Sequence, residues 1–172
     1  MNEKIELSII VPVYNSEKSL PLLYQRLHQT LNKIGKSFEC IFVDDGSTDS
    51  SWKSLNEILL KDKKVRLIQL TRNFGQHNAL MCGFKEAKGK YIVTLDDDLQ
   101  NPPEEIAKLY QKITEGFDVV YGQYLKKNHS LFRNLGSNLV QFVYRSVFGV
   151  HGNLTSFRII RKEIVSEILR YQ

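Results

Sequence analysis

Five short apolar runs rich in β-branched residues, separated by stretches with helical patterning, constrain this chain more than any other feature. The runs are LSIIVPV (7–13), FECIFV (38–43), VRLIQL (65–70), KYIVTL (90–95) and DVVYG (118–122). Helical patterns fill 17–34, 50–60, 76–88 and 103–115 between them. Ser16 and Asp49 are candidate N-caps, and Pro103 suits the first helical position ahead of Glu104 and Glu105. Gly35, Gly89 and Gly116 stand where helices are expected to stop. This alternation predicts βαβ units, hence an α/β fold with a mainly parallel sheet flanked by helices. Ligands of such sheets bind outside the carboxyl ends of the strands.

With 172 residues, 42% hydrophobic and 25% charged, the chain has the length and composition for one domain with one sizeable core. No apolar run approaches the roughly 20 residues of a membrane span, and MNEKIELSIIVPVY lacks the features of a secretory signal. Cys40 and Cys82 lack CxxC spacing and are expected to be reduced and buried, in a cytoplasmic protein. Net charge is +5, and it is uneven: residues 123–172 carry eight Lys or Arg against Glu163 and Glu167. A near-neutral body with a basic tail suggests a phosphate-bearing or anionic-surface partner, or simply a solvated basic face. No nucleic-acid partner is expected.

Polar clusters follow the strands on one side of the expected sheet: PVYNSE (12–17), VDDGSTDSS (43–51), TRNFGQ (71–76) and LDDDLQ (95–100). They would gather Asp44, Asp45, Asp96, Asp97 and Asp98 into an acidic crevice. Two carboxylates about 4 Å apart repel by roughly 4 kcal/mol at an effective dielectric near 20, so such a crevice needs a cation or a donor-rich ligand. On an extended backbone Asp96 and Asp98 face one way, with Gln100 in the same parity, and Asp97 the other. A D-x-D pair suits a hard divalent cation that also binds substrate phosphates. The plain reading is an acidic turn capping the helix after Pro103; it accounts for Glu104 and Glu105 but not for three aspartates ahead of the prolines. In DDGSTDSS, Gly46 makes a turn and Ser47, Thr48 or Asp49 caps a helix, which leaves Asp44 and Asp45 free to accept hydrogen bonds from a nucleobase or ribose. Neither G-x-x-x-x-G-K-[ST] nor G-x-G-x-x-G occurs, which argues against P-loop and dinucleotide-binding enzymes. Trp52 and Phe74 are expected to pack rather than bind, and His28, His77, His129 and His151 lack metal-ligand spacing.

In this order, PVYNSE, VDDGSTD, RNFGQHNAL and LDDDLQNPPE resemble the motifs of inverting glycosyltransferases of family 2, which have the Rossmann-like GT-A fold. The Gln after the triple Asp, the paired prolines and TSFRIIRKE are similar to the polyprenyl-phosphate branch, of the dolichyl-phosphate mannose synthase type. The resemblance implies a metal-dependent enzyme that moves a sugar from a UDP- or GDP-linked donor to a lipid phosphate on the cytoplasmic side of a membrane. It implies that Pro12 and Tyr14 line the nucleotide pocket, Val43 and Asp45 meet the base, and Glu17 and Asp97 contribute to the donor site. Asp96 would touch ribose or sugar, and Asp98 and Gln100 would hold Mg²⁺ or Mn²⁺. Arg133, Ser156 and Arg158 would take the acceptor phosphate, with a structural ion pair equally open for Arg158. The implied organisation is a nucleotide-sugar-binding core over 1–122 and an acceptor-side helical extension over 123–172, incomplete because relatives of this type usually continue further.

Three positions depart from the family pattern: Ser16 where Glu often follows Tyr-Asn, with Glu17 as a substitute, Gln123 where relatives commonly have Arg, and Asn153 where an acidic residue often stands. A lipid phosphate tolerates Asn153, because its second pKa of about 6 makes it largely a dianion that attacks without a base. A saccharide hydroxyl, the alternative acceptor, would need a placed carboxylate. An expected helix near 130–148, with Leu131, Leu135, Leu139, Phe142 and Val143 on one face, would lie at a membrane surface or cover the sheet. A receiver domain would need Asp after the third strand and Lys after the fifth, where Thr71-Arg72 and Gly122 stand. A nucleotidyltransferase usually opens with a glycine- and basic-rich loop, absent here. A non-catalytic nucleotide-binding module would keep DDDLQ and turn nothing over.

Overall fold

The computed structural model describes residues 4–122 and 155–170. The expected 130–148 helix, with Arg133, and Gln123, His129, His151 and Asn153 lie outside them. Strands β1 (Leu7–Val13), β2 (Phe38–Asp44), β3 (Val65–Gln69), β4 (Tyr91–Thr94), β5 (Val119–Tyr121) and β6 (Arg158–Arg161) form one sheet in the order β3-β2-β1-β4-β6-β5. The pairs β1–β2, β1–β4 and β2–β3 are parallel, whereas β6 runs antiparallel to both β4 and β5. The sheet is thus the expected mainly parallel one with an unexpected strand in it. RIIR is too short to announce a strand by its pattern. It joins the sheet because it fills the gap between β4 and β5, anchored by Phe157, whose ring is fully buried and contributes roughly 2–3 kcal/mol.

Helices α1 (Leu20–Ile34), α2 (Ser51–Lys61), α3 (Gln76–Glu86), α4 (Ile106–Thr114) and α5 (Lys162–Arg170) cover the two faces. Every residue of β1 is buried, as befits a central strand with helices on both sides. Alternation sends Leu7, Ile9, Val11 and Val13 to the face under α1, α2 and α4, where Leu20, Leu23, Leu27 and Leu31 supply the apolar stripe of α1. Ile10, with Ile41, Val43 and Ile92, packs under α3 and α5 against Leu80, Phe84 and Val165. Trp52 packs against the first of these clusters. Cys40 and Cys82 are free thiols; Cys40 is buried in the core, and burial raises its pKa, whereas Cys82 is half-exposed.

Three helix boundaries differ from expectation: the fourth helix begins at Ile106, after a 3-10 turn over Pro103–Glu105, and the other two differ for tertiary reasons. The first helix starts at Leu20 rather than near 17, because residues 15–17 are engaged with the loop after β2. The third ends at Glu86, short of Gly89. Gly89 serves close approach instead: a Cβ there would sit 2.5 Å from the Ser8 backbone nitrogen. Its N–H donates to Ser8 Oγ at 2.7 Å, and that hydroxyl donates to Glu39 Oε1 at 2.6 Å. A buried polar network thus ties β1, β2 and the segment before β4 together at the amino-terminal end of the sheet.

Candidate functional site

At the carboxyl edge of β1, β2 and β4 lies a crevice of about 330 Å³ lined by Pro12, Val13, Tyr14, Asp45, Asn73, Gly75, Gln76, Asp96, Asp97 and Asp98. It forms where parallel strands release their chains on one side. The loop after β1 is zipped to the loop after β2. Asn15, at φ 52°, accepts the Thr48 N–H on Oδ1 at 2.8 Å, and the Ser16 N–H donates to Ser51 Oγ at 2.7 Å. The Asp49 carboxylate accepts the N–H groups of Ser51 and Glu17. These bonds hold Tyr14, 46% exposed, at the crevice wall.

The aspartates have distinct surroundings. Asp45 is only 3% exposed, and its two oxygens accept the N–H groups of Phe74 and Gly75 at 2.8 and 2.9 Å. Gly46 beside it is at φ 70°, and a Cβ there would lie 2.4 Å from the Arg72 carbonyl carbon. The 44–46 and 72–75 loops are therefore interlocked. Asp97 Oδ2 accepts the Tyr14 N–H and the Ser16 hydroxyl, tying the end of β4 to the end of β1. Burial raises the Asp97 pKa above the usual carboxylate range, and these hydrogen bonds offset part of the rise. Asp96 accepts from Gln76 Nε2 on Oδ1 and from Asn101 Nδ2 and Ser156 Oγ on Oδ2. Asp98 is exposed and accepts the Gln100 N–H on Oδ1.

Of the donor-site residues expected from sequence, the crevice brings together Pro12, Tyr14, Asp45, Asp96, Asp97 and Asp98. Asp44 is fully buried below it, accepting from Ser47 N and Gln69 Nε2. Val43 packs in the core under α3. The Glu17 carboxylate accepts the Ser50 N–H at the start of α2, and Gln100 is exposed without lining the crevice. The strand parity expected for residues 96–100 does not hold, because β4 ends at Thr94, residues 97–98 turn, and Leu99 adopts φ 61°. Asp96 and Asp97 still diverge, but the turn rather than strand alternation places Asp98. Phe74, expected to pack, is 43% exposed with the Arg72 guanidinium 4.8 Å over its ring. Asn73, Gly75 and Gln76 had no assigned role, although the polar TRNFGQ cluster marked their position.

The 155–158 segment reaches the same place. Besides donating to Asp96, Ser156 accepts the Thr94 hydroxyl on its backbone oxygen. Arg158, across from Thr94 and Tyr121 in the sheet, has its guanidinium carbon 6.0 Å from the centre of the Tyr121 ring and its Nε buried without a hydrogen-bond partner among the described residues. No ion pair joins Arg158 to a described residue, so the structural pairing left open by the sequence is not seen. Among the described residues, no three or more His, Cys, Asp or Glu side chains converge to hold a metal. The donor set that remains, Asp98 with its second oxygen making no hydrogen bond to a described residue, is of the hard-oxygen kind that Mg²⁺ or Mn²⁺ takes alongside water and phosphate oxygens. Among the described residues no helix is long and apolar enough to cross a membrane.

Comparison with known proteins bears on the family and the fold. The family model for Glycosyl transferase family 2 matches residues 8–169. The chain is 43% identical over 168 residues to an undecaprenyl-phosphate 4-deoxy-4-formamido-L-arabinose transferase of Pectobacterium atrosepticum, an alignment covering 95% of this chain and 51% of the relative. It therefore spans about half the length of the curated relatives it matches. Mannosyl-3-phosphoglycerate synthase from Rubrobacter xylanophilus superposes with a TM-score of 0.74 at 13% identity, covering 93% of this chain and 55% of that one. Glucosyl-3-phosphoglycerate synthase from Mycobacterium tuberculosis, in complex with Mn²⁺, UDP and glucosyl-3-phosphoglycerate, gives 0.70 at 17%, covering 93% and 58%. At these identities the structural likeness speaks to the fold alone. The chain belongs to glycosyl transferase family 2, and its six-stranded, mostly parallel sheet has the GT-A fold.

Proposed function

We propose that this chain is the donor-binding part of an inverting glycosyltransferase that moves a sugar from a UDP- or GDP-linked donor to a polyprenyl phosphate at the cytoplasmic face of a membrane. The observation that carries the reading is the meeting at Asp96 of a strand-edge crevice and a segment bearing a buried guanidinium nitrogen, Arg158 Nε, with no hydrogen-bond partner among the described residues. A buried donor without a partner is costly, and an anion is the partner a guanidinium takes best. The likeness to an undecaprenyl-phosphate transferase supports a lipid phosphate as that anion.

In this reading Pro12, Tyr14 and Asp97 form the nucleotide wall, and Asp45 shapes it by holding the 73–75 loop. Asp96 faces ribose or sugar. Asp98, with Gln100 beside it, would hold Mg²⁺ or Mn²⁺, which when bound neutralises charge on the diphosphate. Ser156 and Arg158, with Arg133 from outside the described residues, hold the acceptor phosphate. One of its oxygens forms a bond to the anomeric carbon as the bond from that carbon to the nucleotide diphosphate breaks. The phosphate is largely a dianion at neutral pH, so no general base is required, and the chain's contribution is orientation.

Calorimetric titration of UDP, GDP, UDP-glucose, UDP-N-acetylglucosamine and UDP-4-deoxy-4-formamido-L-arabinose, with Mn²⁺ and with EDTA, tests the donor site. One nucleotide should bind, only with the metal, and Asp98→Asn should abolish the binding. Folded protein that binds none of them overturns the reading. Transfer to undecaprenyl phosphate by the full-length protein tests the acceptor.

A further inference from the structure

Gln76 opens α3 at the crevice wall, one residue after Gly75, whose N–H is held by Asp45 at 2.9 Å and by Asn73 Oδ1 at 2.9 Å. Its side chain is fixed as well. Nε2 donates to Asp96 Oδ1 at 2.6 Å, while Asn101 Nδ2 and Ser156 Oγ occupy Oδ2 of the same carboxylate. A flipped amide would bring Oε1 to 2.6 Å from a carboxylate oxygen, setting two acceptors against each other. The amide therefore has one orientation. Its nitrogen faces Asp96, and its Oε1, which makes no hydrogen bond to a described residue, is left on an exposed side chain at the crevice.

We propose that Gln76 is a specificity-determining residue whose Oε1 accepts a hydrogen bond from an O–H or N–H group of the bound nucleotide-sugar. This rests on the donor-site reading above. The group belongs either to the ribose or to the transferred sugar, since the donor-site reading has Asp96, the partner of Gln76, facing one or the other. An acceptor oriented before the ligand arrives saves the ordering cost that a free glutamine side chain would carry. Because Oε1 is open to water in the free protein, a ligand without the matching donor strands no buried group. Discrimination is therefore modest, about tenfold, the scale of one neutral hydrogen bond.

The test is titration, in the presence of Mn²⁺, of the bare nucleoside diphosphate and the sugar conjugate that bind the wild type. The proteins are wild type, Gln76→Met and Asn101→Ala. Gln76→Met keeps length and removes the acceptor at an exposed position, so folding is not at issue; Asn101→Ala removes a different donor to Asp96 and leaves Gln76 in place. A loss of about tenfold on the sugar conjugate alone in Gln76→Met assigns the contact to the sugar, and an equal loss on both ligands assigns it to the ribose. Unchanged affinities in Gln76→Met overturn the inference. So does an equal loss in Asn101→Ala, which would mean that Gln76 acts only by positioning Asp96. A wild type that binds no nucleotide removes the donor-site reading and this inference with it, and is distinguished by appearing before any substitution.

Discussion

Replacing Asp45 by Ala should loosen the 73–75 loop while leaving the core intact, and the structure sets the size of the effect. The carboxylate accepts two backbone N–H groups, Phe74 at 2.8 Å and Gly75 at 2.9 Å. Hydrogen bonds to a charged acceptor contribute about 1.5–3 kcal/mol each. Gly75 retains Asn73 Oδ1 at 2.9 Å after the substitution, so its loss falls at the low end. The Phe74 N–H keeps nothing. Together these give about 3 kcal/mol of loop stabilisation lost, or roughly two decades in the local opening equilibrium. Phe74 is well exposed, so its freed N–H turns to water and the change appears as local opening rather than global unfolding. Native-state hydrogen exchange followed residue by residue measures this. Phe74 and Gly75 should exchange about a hundredfold faster, while Ile41 and Phe42 in the neighbouring strand change far less. Asp45→Asn, which keeps one carbonyl acceptor, should fall between. Nucleotide affinity should drop in the same order, since the loosened loop forms part of the crevice wall. Unchanged exchange at Phe74 and Gly75 in folded Asp45→Ala would show that the loop is held by something other than this carboxylate, and the account of Asp45 as the clasp of the site would fail.

Three further outcomes follow from particular contacts. Gly89→Ala forces a Cβ to 2.5 Å from the Ser8 backbone nitrogen, which no side-chain rotation relieves; a loss of at least about 2 kcal/mol is expected, read as a fall in Tm of several degrees. Arg158→Leu removes a buried Nε with no hydrogen-bond partner among the described residues, so stability to urea should stay within about 1 kcal/mol or improve, while transfer to a lipid phosphate by the full-length protein should collapse; unfolding of the variant would contradict the ligand role. For Asp97 the folded-state pKa is raised, so the native state binds the proton more tightly than the unfolded chain. Asp97 therefore favours folding most when protonated, and this contribution is lost as the pH rises from about 4 through the folded-state pKa. Asp97→Asn should flatten that part of the stability–pH curve, with the difference from wild type moving in favour of Asn as pH rises, provided its carbonyl still accepts from Tyr14 N and Ser16.

What the sequence determined by itself is most of the architecture and the edge of the sheet at which the candidate site residues meet. The strands at 7–13 and 38–44 could be read from runs such as LSIIVPV because a central parallel strand is buried on both faces and so is largely apolar; the edge strand at 65–69 is only partly buried and carries Arg66 and Gln69, and was legible from Val65, Leu67 and Ile68. The helices were legible from the spacing of residues such as Leu20, Leu23, Leu27 and Leu31, since only one stripe of each is buried. Parallel connection then sends every strand end to the same edge, so Tyr14, Asp45 and Asp96–Asp98 had to meet there. Tertiary structure alone decided what each of them does at that edge. RIIR became a strand because β4 and β5 left it a place. Asp44 and Asp45, adjacent in sequence, part company because one lies beneath the crevice and the other reaches 30 residues ahead to Gly75. Asp97 reaches back 81 residues to Ser16, and Ser156 reaches back 60 to Asp96. Such bonds leave no periodicity to detect: a hydrogen bond depends on two groups arriving within about 3 Å with the right orientation, and that is settled by how the loops pack, not by the residues on either side of each partner.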